Sequence, residues 1–148
     1  MTAVPVLVVG GGPAGLAAAA RLAAAGHPVD LVELRPALGG AYHRRPLPGV
    51  TPLSLGAEAE RRWARLAAGI ERPEIRVRLR SAFLGVDGAG CALVEDRAAS
   101  RVEALRPAAV VIATGAVELV RPRPGWDLPG VTTVGALQVM LKETGRLP

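Results

Sequence analysis

The chain has 148 residues, half of them hydrophobic and only 3% aromatic, with a formal net charge of +5. That length supports one well-packed domain rather than two, and apolar bulk drawn mainly from Ala, Val and Leu favours helices on a parallel sheet over a β-sandwich. The positive charge does not mark a nucleic-acid surface. Lys142 is the only lysine, the arginines fall in small scattered groups at Arg44-Arg45, Arg61-Arg62-Arg65 and Arg76-Arg78-Arg80, and only Trp63 interleaves them with an aromatic ring.

Residues 4–9 (VPVLVV) form a short continuous apolar run that ends in three glycines, the pattern of a buried parallel strand. Residues 4–20 carry no charge, but Gly10-Gly11-Gly12-Pro13 interrupts them and no basic stretch precedes them, so neither a membrane span nor a signal peptide is expected. Residues 13–25 are Ala-rich and predict a helix closed by Gly26. Residues 29–33 (VDLVE) read as a second strand, which completes a βαβ unit with a right-handed crossover. Residues 35–56 hold four prolines and predict a long irregular loop, a feature that in compact domains generally serves function. A helix is expected over residues 57–70, with Trp63, Leu66, Ala67 and Ile70 on its buried side.

From residue 75 to 105 the signal changes to short strands parted by turn residues: IRVRL, AFLGV, CALVE and SRVEAL. This spacing predicts an antiparallel meander inserted into the parallel fold. Cys91, the only cysteine, excludes an intrachain disulfide, a Cys-x-x-Cys pair and a thiolate metal cluster. It is expected as a small core residue, and a cytoplasmic location is the corresponding expectation. Residues 108–113 (AAVVIA) return to a buried strand that ends at Thr114-Gly115. A Pro-rich turn holding Trp126, read as a packing anchor, and an amphipathic stretch follow. The fold class is therefore α/β, a Rossmann-like parallel sheet with an inserted antiparallel meander.

The chemistry-bearing motif is GGGPAG. Gly10 permits the tight turn, Gly12 lets the backbone approach a pyrophosphate, and Gly15 lets the helix sit close to the strand. The intervening Gly11, Pro13 and Ala14 bring the helix N-terminus and its free N–H groups to the same place. The motif follows a predicted strand, opens a predicted helix, and is followed at the end of the second strand by Glu33, whose carboxylate can accept hydrogen bonds from ribose hydroxyls. These features together disfavour a mere strand-to-helix turn with a surface acid. A carboxylate at Glu33 also repels a 2′-phosphate, which disfavours NADP and leaves FAD and NAD open. His27 is expected to be exposed, and His43 is a candidate to approach a ligand from the long loop.

GGGPAGLAAA with Glu33, and VVIATGA at residues 110–116, resemble the two signatures of the glutathione-reductase-like, pyridine-nucleotide-disulfide type of flavoprotein oxidoreductase. PGWDLPGVTTVGALQVMLK, residues 124–142, is similar to a segment in flavoprotein subunits of opine and octopine oxidases, hydrogen cyanide synthase and proline dehydrogenases, which oxidise C–N bonds of amino-acid-like substrates. The resemblance implies FAD as cofactor, a small-molecule substrate, and a further subunit or C-terminal half as partner. It implies pyrophosphate contacts from Gly10 to Gly15, ribose contact by Glu33, adenine contact by backbone near Phe83, and backbone lining of the flavin site near Gly39, Gly40, Ala113, Thr114 and Gly115. Ala41 stands where such subunits tend to have Gln. No catalytic acid, base, nucleophile or metal ligand is implied, because the flavin carries the redox chemistry.

By the same resemblance, residues 1–120 are expected as the N-terminal part of an FAD-binding domain and residues 121–148 as a crossover towards an NAD-binding domain. Neither a second glycine-rich nucleotide turn nor the segment that completes the FAD site follows Gly115, so the fold is expected to be incomplete at its C-terminus, the front part of a larger enzyme. An NAD(P) site is expected only in a missing domain. The competing readings are a non-catalytic or remnant dinucleotide-binding module and an NAD-binding Rossmann protein.

Overall fold

A computed structural model describes residues 4–146. In chain order the elements are β1 (Val6–Val9), α1 (Pro13–Ala24), β2 (Val29–Val32), α2 (Ala57–Gly69), β3 (Ile75–Arg78), β4 (Ser81–Val86), β5 (Ala92–Asp96), β6 (Arg101–Leu105), β7 (Val110–Ile112) and α3 (Val134–Thr144). Four strands form a parallel sheet in the order β3-β2-β1-β7, and three form an antiparallel sheet in the order β4-β5-β6. Val6 pairs with Val29 and Leu7 with Val110, so β1 is central and buried along its whole length.

The alternation of side chains along a strand separates two apolar layers. Val8, Val29 and Leu31 face α1, where they meet Leu16 and Ala19, with Trp63, Leu66 and Ile70 of the α2 segment packed outside them. Leu7, Val9 and Val32 point the other way and meet Ala92 and Val94 of the meander, with Phe83 and Leu105 beside them. The result is helices, parallel sheet and meander in three layers, with Leu7, Leu16 and Leu31 fully buried and each contributing about 1.5–3 kcal/mol. Cys91 is buried just before β5 of the meander and His27 is exposed, both as expected.

Two expectations are corrected. The IRVRL stretch does not open the meander: β3 pairs parallel with β2, Val29 opposite Ile75 through Val32 opposite Arg78. It is an edge strand that buries none of its residues fully, and its IRVR sequence alternates apolar and charged residues as an antiparallel strand also does. Arg78 then joins the layers, its guanidinium bonding Glu103 of β6 at 2.8 Å with Asp30 of β2 at 3.6 Å. Trp126 is 47% exposed in a turn closed by its N–H donating to the Arg123 carbonyl, so it is no packing anchor here. Among the described residues no helix is long and apolar enough to cross a membrane.

Candidate functional site

The chain leaves β1 towards α1, β2 and β3 on one side and returns to β7 on the other, so the strand order reverses between β1 and β7. Ligands of open α/β sheets bind at such a switch point, beyond the carboxyl ends of the strands. Gly10 follows β1 there and Ala113 follows β7. The Gly10 N–H donates to the Val32 carbonyl at 2.8 Å and the Ala113 N–H to the Val9 carbonyl at 2.8 Å, which fixes both turns to the sheet.

The glycines of the loop are required for different reasons. Gly10 has φ +108°, and a Cβ on it would lie 2.3 Å from the Ala113 carbonyl oxygen. A Cβ on Gly15 would lie 1.8 Å from the Gly10 oxygen, so α1 reaches its position only because residue 15 has no side chain. A Cβ on Gly11 would meet Leu38 at 2.5 Å and the Glu33 carboxylate at 2.9 Å. Gly12 differs. Its φ of −79° suits any residue, and a Cβ there would come no nearer than 3.6 Å to protein, at the Gly40 Cα. Packing does not demand glycine at this position, but close approach of a ligand to the backbone would.

Gly12 is also the N-cap of α1, with no side-chain cap, Pro13 at the first helical position and no acidic residue in the first turn. The first-turn N–H groups have no helical acceptors and the helix dipole is positive here. Ala14 is exposed at this end of the helix while Gly15 is buried. A backbone cradle with an uncapped positive helix end and no acid in the first turn of α1 suits an anionic pyrophosphate.

Glu33, just after β2, is only 8% exposed. One carboxylate oxygen accepts from the Gly11 N–H at 2.7 Å and the other from the Arg35 N–H at 2.8 Å. Sequence reasoning found the residue but missed this role, in which the carboxylate ties the glycine loop to β2. An ionised carboxylate has about four acceptor sites, so lone pairs are left for ribose hydroxyls. Gly39 and Gly40 come to the same place. The Gly39 N–H donates to the Gly11 carbonyl at 2.8 Å, and a Cβ on Gly40, whose φ is +61°, would lie 2.9 Å from the Gly12 Cα. Thr114 and Gly115 follow Ala113 on exposed backbone. Phe83 buries its ring side against the core, and β4 enters the site through the Ser81 N–H, which donates to the Glu33 carbonyl at 2.9 Å.

His43 does not face an open ligand space. It is buried, edge-on to Tyr42 and 5.4 Å from Trp63 between ring centroids. Burial, reinforced by the Lys142 cation, holds its pKa below the ordinary imidazole value. The residues that sequence reasoning missed lie on α3. Lys142 is buried, and its ammonium donates to the carbonyls of Ala41 at 3.1 Å and Tyr42 at 2.8 Å. Burial, then the Arg44 cation, pushes its pKa down. The Glu143 carbonyl accepts from the Leu47 N–H at 2.9 Å, and its carboxylate meets Arg35 at 2.8 Å and Arg44 at 3.6 Å. The one available signal was compositional, a single lysine in an arginine-rich chain.

Fold and cradle together define a dinucleotide-binding α/β protein of the kind that carries an antiparallel sheet on its parallel one. The sequence matches the family described as pyridine nucleotide-disulphide oxidoreductase over residues 4–147. The chain belongs to that family of FAD-dependent oxidoreductases. It is 37% identical over 143 residues to hydrogen cyanide synthase subunit HcnB of Pseudomonas aeruginosa, a match covering 92% of this chain and 30% of that protein. It is 39% identical over 150 residues to the opine oxidase A subunit of Rhizobium meliloti, covering 96% of this chain and 31% of that one. The chain thus spans about a third of the length of these curated relatives. A thioredoxin reductase from Giardia duodenalis shares the fold, with a TM-score of 0.52 and 18% identity over 77% of this chain and 31% of that one.

Proposed function

We propose that this chain binds FAD and serves an oxidoreductase that acts on a C–N bond of an amino-acid-like substrate. The observation that carries the cofactor reading is Gly12, a glycine that neither its backbone angles nor its protein neighbours require, set at an uncapped helix N-terminus. In this reading the N–H groups of Gly12, Ala14 and Gly15 hold the pyrophosphate and Glu33 accepts from the adenosine ribose. The backbone near Phe83 meets the adenine, and Gly39, Gly40, Ala113, Thr114 and Gly115 line the remainder of the site. When bound, the flavin supplies the electron-accepting chemistry. The residues of the chain bind it, orient it and keep side chains out of its way, and none of them acts as acid, base or nucleophile.

The substrate class is supported by the names of the two relatives, one belonging to a hydrogen cyanide synthase and the other to an opine oxidase. Both are subunits, which supports a partner polypeptide for this chain as well. Residues 1–120 form the FAD-binding unit in this reading, and a nicotinamide nucleotide, if the enzyme uses one, belongs to another domain.

The test is the visible absorbance of the purified protein after mixing with FAD and desalting. Retained flavin, lost in Gly12→Val, is the expected result. Tight binding of NAD with no retained flavin would overturn the reading. With flavin bound, anaerobic bleaching by amino-acid-derived secondary amines, alone or in the presence of a partner polypeptide, tests the substrate class.

A further inference from the structure

We propose that α3 is a latch on the cofactor loop and that Lys142 is its positioning residue, the ammonium holding residues 39–43 in the conformation that seats Gly40 against Gly12. This inference rests on the FAD reading above and extends it to a lysine 101 residues beyond Ala41 in the chain.

The loop is a closed turn resting on the cradle. The Gly39 N–H bonds Gly11, the His43 N–H donates to the Gly39 carbonyl at 3.0 Å, and Gly40 touches Gly12 too closely to admit a side chain. Two successive carbonyls of that turn, from Ala41 and Tyr42, converge on one buried nitrogen, Lys142 Nζ, which also lies 5.3 Å from the Tyr42 ring centroid. Every other Lys or Arg position in the sequence is arginine. The exception falls where two acceptors meet at a point, which suits a compact ammonium and not a planar fork.

Glu143 makes the attachment two-sided. Its carbonyl takes the Leu47 N–H, and its carboxylate bonds Arg35, whose own N–H is held by Glu33. The latch therefore grips the loop at residues 41, 42 and 47 and, through Arg35, the end of β2. A buried ammonium is costly to desolvate and is not in general a source of stability. Its use here is explained by the position of the backbone it holds.

The experiment compares wild type, Lys142→Met and Lys142→Arg by amide hydrogen exchange without FAD and by FAD titration. Lys142→Met is expected to speed exchange within residues 40–47, at the hydrogen-bonded His43 and Leu47 amides, by about tenfold, with β1 and β2 amides unchanged, and to raise the Kd for FAD by about tenfold. Lys142→Arg keeps the charge and should fall between. Glu143→Ala, which removes only the Arg35 and Arg44 bonds, gives the same pattern more weakly and serves if Lys142→Met does not fold. Unchanged exchange at 40–47 overturns the latch. Faster exchange with unchanged FAD affinity overturns its link to the cofactor. A wild-type protein that retains no FAD overturns the cofactor reading instead, and the exchange data still report on the latch.

Discussion

At the glycine loop, backbone rests on backbone: Gly15 against the Gly10 oxygen, Gly10 against Ala113, Gly40 against Gly12. The arm from residue 116 to α3 is built differently. Val117 is 96% exposed and Leu119 81% exposed, and the arm is tied down by polar groups, Glu118 at one end of α3 and Lys142 with Glu143 at the other. Contacts of the first kind tolerate no added atom, whereas those of the second kind can be broken singly and re-formed. A rigid cradle is thus bordered by an adjustable wall.

The comparison breaks first at the glycines. Gly15→Ala should lower stability by about 3 kcal/mol or more in urea unfolding, because the new Cβ must displace a backbone carbonyl in a packed turn. Gly12→Ala should stay within about 1 kcal/mol of wild type, the cost of a poorer N-cap, yet lose FAD affinity by about tenfold or more. Equal loss of stability in both variants would remove the distinction between packing glycine and ligand glycine.

Glu33→Gln comes next. An amide cannot accept from both the Gly11 and Arg35 N–H groups, because its NH₂ must face one of these donors. Leaving that donor unsatisfied in a buried place should cost about 1–3 kcal/mol, measured by the same unfolding assay.

Smaller effects follow from titration. Burial lowers the His43 pKa in the folded protein, so the unfolded chain takes up a proton near pH 6.5 while the folded one resists it. Stability should therefore fall as pH drops below about 6.5 and level off below the folded pKa. His43→Phe should abolish that slope. Lys142 also has a lowered folded pKa, so stability should rise with pH between that value and about 10.5, and Lys142→Met should remove the rise.

The smallest effect is expected at Glu118, an exposed carboxylate whose pKa is lowered chiefly by the Thr133 hydroxyl and then by the Gly135 N–H. Its contribution is present above about pH 4.5 and lost as the pH falls through the folded pKa. Glu118→Gln should speed amide exchange at Gly135 and leave the core strands unchanged.

Much of the parallel framework was legible in the residues. VLVV, the glycine run, the Ala-rich helix and VDLVE announce themselves because central strands are apolar on both faces and close approaches demand glycine. Trp63, Leu66 and Ile70 showed the buried side of α2 through helical spacing. β3 was misread because its IRVR sequence alternates apolar and charged residues, a pattern that an edge strand can show whichever way its neighbour runs. His43 was read as a ligand candidate because it lies in the glycine-proline loop, and only the packing of Tyr42 and Trp63 turns it inward.

Local sequence was enough to specify the strand-turn-helix cradle and the acid that closes the βαβ unit, since their geometry depends on backbone angles and on neighbours within about thirty residues. The assembly of the site was settled elsewhere. Gly10 meets Ala113, Arg78 meets Glu103, and Lys142 finds the carbonyls of the cofactor loop only after the sheet order and the return of α3 bring distant segments together. Such contacts depend on three-dimensional proximity and leave no period or motif in the chain to mark them.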